Sequence, residues 1–272
     1  MLRERVAIVL FITPFLVWII ADGNWLYTIA ITTILSLASI EYGSMFRRAG
    51  FKPSLPMLVF GVIALVISRF LWGFKSLPLL LAVLFLLTQV WHMVDYERGA
   101  QHSATDFAIS SAGILYIGLI GSYLISLRRL PEGEWWFLIT FLSIWIADSA
   151  AYLAGKAFGR RQLTPRLSPN KTWEGYLAGV IFGAVGTMGF TILWRIGAGP
   201  QTNLTLLRGL TVGALISIFA PLGDLGVSMI KRELQVKDSG SSVPGHGGVL
   251  DRIDSWLWAG VLGFYIVSWL IS

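Results

Sequence analysis

Nine apolar runs follow one another along the chain with little between them, near residues 6–21, 26–40, 56–71, 77–93, 107–127, 135–154, 176–196, 211–229 and 256–271. One helical crossing of a bilayer takes roughly 20 apolar residues. Within hydrocarbon every backbone N–H and C=O must be satisfied internally, and a helix does this residue by residue. The runs therefore predict an all-α, polytopic membrane protein of about nine transmembrane helices. Composition agrees: 55% of the residues are hydrophobic and 13% charged, where a soluble domain carries about 25% charge. A separate water-soluble catalytic domain is excluded. The first two runs are short and meet at Asp22-Gly23-Asn24, so two full spans and a re-entrant hairpin both remain open. A cleaved signal peptide is not expected, because no small-residue cleavage motif follows the first run.

The chain has no cysteine, which excludes disulfides, thiolate metal sites and a cysteine nucleophile. Chemistry is left to carboxylates, bases, hydroxyls and oxygen-bound metal ions. With the N-terminus cytoplasmic, the alternating spans put 15 of the 21 Lys and Arg residues on the cytoplasmic side and 6 on the other, as the positive-inside rule requires. The net charge of +6 is then a topological excess, and no nucleic-acid partner is expected. Without repeats or low-complexity segments, residues 1–272 read as a single integral-membrane domain. Residues 1–130 are mainly plain hydrophobic spans. Residues 131–272 are interrupted by glycines, carboxylates and polar loops, and function is expected there.

Ionisable groups inside spans are costly and by default functional. Asp148 and Asp224 lie within or at the edge of such spans, and Asp251 and Asp254 open the last one. In the alternating topology all four fall toward the cytoplasmic face. Asp224, Ser228 and Lys231 stand at i, i+4 and i+7, and Asp148, Tyr152 and Lys156 at i, i+4 and i+8, so each acid shares a helix face with a hydroxyl and a base. Hard oxygen ligands beside a lysine suit a magnesium ion and a phosphate. Simpler roles are also open: Asp148 can pair with Lys156, Asp224 with Lys231, and Asp251 or Asp254 can cap a helix. Glu41, just ahead of Arg47 and Arg48, reads as an interfacial salt-bridge residue.

Two polar loops add to this. Residues 155–175 carry Lys156, Arg160, Arg161, Arg166 and Lys171 against Glu174 alone. There Ser168-Pro169 predicts a helix start, with Asn170, Lys171 and Thr172 at an N-terminus able to take an anion, or simply a capped helix beside a basic membrane surface. Residues 228–254 mix Lys231, Arg232, Lys237 and Arg252 with Glu233, Asp238, Asp251 and Asp254. Gly240, Gly245, Gly247 and Gly248 allow backbone amides to approach a polyphosphate, and His246 between glycines is a phosphate donor, a proton carrier or a turn residue.

Ser228, Lys231, Arg232, Lys237, Asp238, Gly240, Pro244, His246, Gly247, Gly248, Asp251, Arg252 and Asp254, at these spacings, resemble the signature of the phosphatidate cytidylyltransferase (CDP-diacylglycerol synthase) family. Residues 148–152 and 168–175 also look like that family's motifs. The resemblance implies transfer of a cytidylyl group from CTP to phosphatidic acid at a cleft opening to the cytoplasmic side of a bacterial inner membrane, by a homodimer among its membrane lipids. It implies Mg2+, with a monovalent cation (K+) beside it, held by Asp224 and Asp251 with Asp148 nearby. Asp224, Asp251, Lys237, His246 and Arg252 are then the catalytic candidates. Lys156, Ser168, Asn170, Lys171, Thr172, Ser228, Lys231 and Arg232 are candidates for binding substrate phosphates, and Glu174, Asp238, Gly247, Gly248 and Asp254 for support. The alternative is a cation-coupled membrane transporter, against which stand the common depth of the acids and the absence of an inverted repeat. An alcohol phosphatidyltransferase is disfavoured because its D-G-x-x-A-R type motif is missing.

Overall fold

The computed structural model describes residues 17–199, 202–240 and 247–272. Its helices are α1 (Trp25–Arg48), α2 (Leu55–Trp72), α3 (Leu77–Glu97), α4 (Ser103–Gly113), α5 (Tyr123–Arg128), α6 (Gly133–Phe158), α7 (Trp173–Ala198), α8 (Leu206–Phe219), α9 (Pro221–Glu233) and α10 (Leu250–Ile271). A π-helical stretch, Ile114–Leu119, joins α4 to α5, so Ser103–Arg128 forms one span, and α8 with α9 forms another over Leu206–Glu233. Eight spans long and apolar enough to cross a membrane are present among the described residues. The ninth expected run, 6–21, lies largely outside them, with only 17–22 described and helical.

Local chemistry sets the helix ends. Ser54 accepts the Met57 amide at 3.3 Å, with Pro56 in the first turn of α2. Thr205 accepts the Arg208 amide at 3.3 Å at the start of α8. Such caps satisfy N–H groups that have no partner within the helix. Pro221 divides the seventh described span: it lacks an N–H and cannot continue the ladder, so Asp224 falls in the first turn of α9 instead of mid-helix.

One expectation is overturned. Ser168–Thr172 is not a helix start but strand β2, paired antiparallel with β1 (Gln162–Thr164). The Gln162 side-chain amide Nε2 donates to the Pro169 carbonyl at 3.1 Å. The helix begins one element later, where the Thr172 hydroxyl accepts the Gly175 amide at 3.2 Å. Proline fixes its own φ at a value a strand tolerates at an edge, and the β-branched Thr172 is the better cap.

Buried apolar side chains run from α1 and α2 through α4 and α6 to α8 and α10. α6 and α7 pack closely along Gly175 and Gly179. A Cβ at Gly175 would stand 2.6 Å from the Ala151 carbonyl oxygen, and one at Gly179 2.9 Å from that of Ala147. Small residues let membrane helices approach backbone to backbone. α3 differs: 17% of its most apolar window is buried within the protein, leaving a face suited to lipid. At the end opposite the polar loops, Arg128 forms a salt bridge with Glu134 at 3.2 Å and donates to the Ala21 carbonyl at 2.6 Å, while Arg208 donates to the Asn203 carbonyl at 2.9 Å.

Candidate active site

At the end carrying both polar loops, α6, α9 and α10 deliver the aspartates. Asp224 forms an ion pair with Lys171 of β2 at 2.5 Å, and Ser228, one turn along α9, donates to it at 3.4 Å. Asp251 in the first turn of α10 pairs with Lys231 from the last turn of α9 at 2.7 Å. Asp148 of α6 lies within the electrostatic reach of Lys171 and Asp224. Asp254, 6% exposed, lies within that of Asp224, Lys231 and Asp251. Separate stretches of the chain thus meet at one end of the helices. The partners are not the ones helical spacing offers: Asp224 takes Lys171 where Lys231 was available, and Asp148 faces Lys171 rather than only its own helix's Lys156. Within one helix, spacing selects a face, but a lysine on a neighbouring element is closer than one two turns away.

A cavity of about 490 Å³ opens beside Asp148 and Lys171. Asp148, Tyr152, Lys156, Asn170, Lys171, Thr172, Tyr176 and Ser217 supply its polar lining, and Ala147, Ala151, Leu163 and Pro221 part of its apolar lining. Tyr176 ties α7 to α8 by donating to the Ile218 carbonyl at 3.0 Å. The other candidates have narrower duties. Glu174 accepts the Arg160 and Arg161 amides at 3.0 and 3.3 Å and shapes the approach to β1. Arg232 donates to the Leu167 carbonyl at 3.3 Å, fastening α9 to the hairpin turn. Ser168 and Asn170 sit on β2. Lys237, Asp238 and Arg252 are exposed. Gly247 has φ of 82°, a conformation that glycine adopts without strain. His246 lies outside the described residues.

The start of α10 holds the unexpected part. Asp251 Oδ2 accepts the Ser239 amide at 2.8 Å, its hydroxyl at 3.0 Å and the Gly248 amide at 3.3 Å. Glu41, far away in the chain on α1, accepts the Ser239 hydroxyl at 2.9 Å, the Val249 amide at 3.0 Å and the Leu250 amide at 2.9 Å. Glu41 is 5% exposed and so is not the interfacial salt-bridge residue its neighbours suggest; Arg47 instead donates to the Pro53 carbonyl at 3.0 Å. The available signal was burial itself, because an acid within an otherwise plain hydrophobic span must find donors. The Gly248 amide, expected to face a polyphosphate, is engaged by Asp251.

The donor set is hard and anionic. Among the described residues no three His, Asp or Glu side chains form one closed metal cage, but two aspartates each face an ammonium group where a cation could stand.

The cytidylyltransferase family model matches residues 3–270 of the chain. The chain belongs to the cytidylyltransferase family. It is 33% identical over 279 residues to a phosphatidate cytidylyltransferase of Synechocystis sp., covering 92% of this chain and 90% of that one. It is 30% identical over 277 residues to a protein of the same name from Pseudomonas aeruginosa, covering 99% and 97%. A chloroplastic phosphatidate cytidylyltransferase of Arabidopsis thaliana is 31% identical over 283 residues, covering 92% of this chain and 69% of the relative. The protein is thus a membrane-embedded cytidylyltransferase, an enzyme, and the transporter alternative is left without support.

Proposed function

We propose that this cytidylyltransferase uses CTP and phosphatidic acid, and that a phosphate oxygen of the lipid attacks the α-phosphorus of CTP. The bond from that phosphorus to the oxygen bridging toward the β-phosphate breaks with its electron pair. The products are CDP-diacylglycerol and pyrophosphate. The observation that carries the reading is the meeting of the Lys171–Asp224 and Lys231–Asp251 pairs at one end of the helices, beside a cavity with polar and apolar lining. The nucleophile is already anionic at neutral pH, so no general base and no covalent serine are required. What the chain must do is hold two mutually repelling anions in line and offset their charge. Lys171 and Lys231 do this directly, with Lys156, Arg232, Lys237 and Arg252 around the phosphates. Before substrate arrives, each of the first two neutralises an aspartate, so neither charge stands uncompensated at the membrane edge.

Magnesium fits this donor set. It binds through one or two carboxylates and completes its shell with water and substrate phosphate oxygens, so a closed protein cage is not needed. Asp224 and Asp251 would hold it, with Asp148 adjoining and a monovalent cation beside it. The ion supplies neutralisation of the charge that builds on the phosphate oxygens. The site opens to the cytoplasm, the side that collects most of the Lys and Arg residues by the positive-inside rule. CTP enters from that side while the lipid slides in with its tails among apolar residues. The working unit is a homodimer.

The purified protein in detergent is expected to release pyrophosphate only when CTP, phosphatidic acid and magnesium are all present. Asp251→Asn is expected to lower kcat/KM by about 100-fold or more. No turnover by folded, monodisperse wild type would overturn the reading.

A further inference from the structure

Asp251 follows a connection between α9 and α10 whose described residues, 234–240 and 247–249, contain almost no regular structure. A carboxylate serving phosphoryl chemistry must nevertheless hold its place to about 0.5 Å. Lys231 fixes one oxygen and the Ser239 and Gly248 amides the other, but those amides belong to the same irregular segment. Something anchored elsewhere must hold the segment itself.

We propose that Glu41 is a positioning residue of the transfer site: from α1 its buried carboxylate grips Ser239 and the Val249 and Leu250 amides, and so sets where the Asp251 carboxylate stands. The proposal rests on the activity proposed above. Three observations carry it. Glu41 is 5% exposed and Ser239 is fully buried, so the link is shielded from water and stronger than it would be at the surface. Glu41 touches the connection at Ser239 and again at Val249 and Leu250, the start of α10, where free N–H groups and the helix dipole both favour an anion. Finally, the Ser239 hydroxyl stands 2.9 Å from Glu41 and 3.0 Å from Asp251, so one side chain joins the two carboxylates. That hydroxyl has a single proton, and either carboxylate can take it because each has backbone amides in reserve. Space is kept for the arrangement: a Cβ at Gly240 would stand 2.7 Å from Glu41 Oε1, and one at Gly248 2.5 Å from Oε2. These two glycines of the signature therefore make room for a carboxylate of the first half of the chain, besides any role toward phosphates.

The test is Glu41→Gln, alone and combined with Asp251→Glu. Glutamine keeps the size but exchanges one acceptor oxygen for a donor, so one of the three donors is stranded. The expected result is a 10- to 100-fold lower kcat with the KM values for CTP and phosphatidic acid within about threefold of wild type. Added to Asp251→Glu, the change is expected to cost less than a further threefold, because Glu41 acts through Asp251. Amide hydrogen exchange over 247–251 is expected to quicken in Glu41→Gln, a readout independent of turnover. Wild-type kcat, or a double variant whose loss is the product of the two single losses, would overturn the proposal. Should Glu41→Gln fail to fold, Ser239→Ala cuts only the hydroxyl link: a lower kcat at unchanged KM supports the proposal and a wild-type kcat overturns it. If wild type releases no pyrophosphate, the activity reading fails, and unchanged exchange over 247–251 in Glu41→Gln would then sink the positioning role as well.

Discussion

At the scale of single residues, the site is a set of charges whose partners matter more than their identities. Lys171 lies between two carboxylates, paired with Asp224 at 2.5 Å and within reach of Asp148. Removing it leaves two negative groups facing each other beside the cavity and takes a cation from the phosphates. Lys171→Met is therefore expected to lower kcat/KM by about 100-fold, whereas Lys171→Arg retains part of the activity. Steady-state assays in detergent check both, and wild-type activity in the methionine variant would remove Lys171 from the machinery. Asp148 and Asp224 were legible as candidates because a charge in an apolar run stands out from its surroundings, and Asp251, Lys171 and Lys231 because they belong to polar loops that the family signature matches. Their pairing was not. Helical periodicity relates residues along one helix, and the Lys171–Asp224 contact runs between a strand and a helix.

At the scale of elements, the α6–α7 seam places the first aspartate. Gly179 lies against the Ala147 carbonyl, next in sequence to Asp148, so whatever spreads this seam moves that carboxylate away from Lys171. Gly179→Val overpacks the seam at a cost of about 1–3 kcal/mol and is expected to lower both the Tm and kcat. Gly189→Ala serves as the control: nothing lies within 4 Å of its added Cβ, and both quantities should stay at wild-type values. Thermal unfolding in detergent and the pyrophosphate assay together decide it. The helices themselves were legible because hydropathy and length define a membrane crossing almost independently of neighbours. The hairpin Gln162–Thr172 was not, since Ser-Pro is a good helix start locally and becomes a strand only through its pairing with residues 162–164.

At the scale of the whole molecule, alternating spans put the polar loops and the carboxylates at one end and Arg128, Arg129 and Arg208 at the other. The absence of cysteine makes the orientation directly measurable with single introduced thiols. Lys75→Cys and Arg160→Cys replace exposed residues at opposite ends. A membrane-impermeant maleimide is expected to label Arg160→Cys only when the cytoplasmic face is accessible, and Lys75→Cys only from the other side. The reverse pattern would place the site away from the cytoplasm. The same global arrangement brings α1 to the start of α10. An acid in the plain first half thereby joins the site of the second.

The sequence by itself determined the all-α membrane architecture, the end of the molecule where charge gathers and the list of candidate residues for phosphate chemistry. These follow from local quantities: apolar length, the cost of a charge in hydrocarbon and the alternation of sides. Only the tertiary structure decided which lysine meets which aspartate, that residues 168–172 pair as a strand, and that Glu41 holds the start of α10. Each of these depends on the angles and distances at which separate helices pack. Those are set by close-approach positions such as Gly179 and Gly223, the latter with a would-be Cβ 2.9 Å from the carbonyl carbon of Asp254, and no pattern along a single helix contains them.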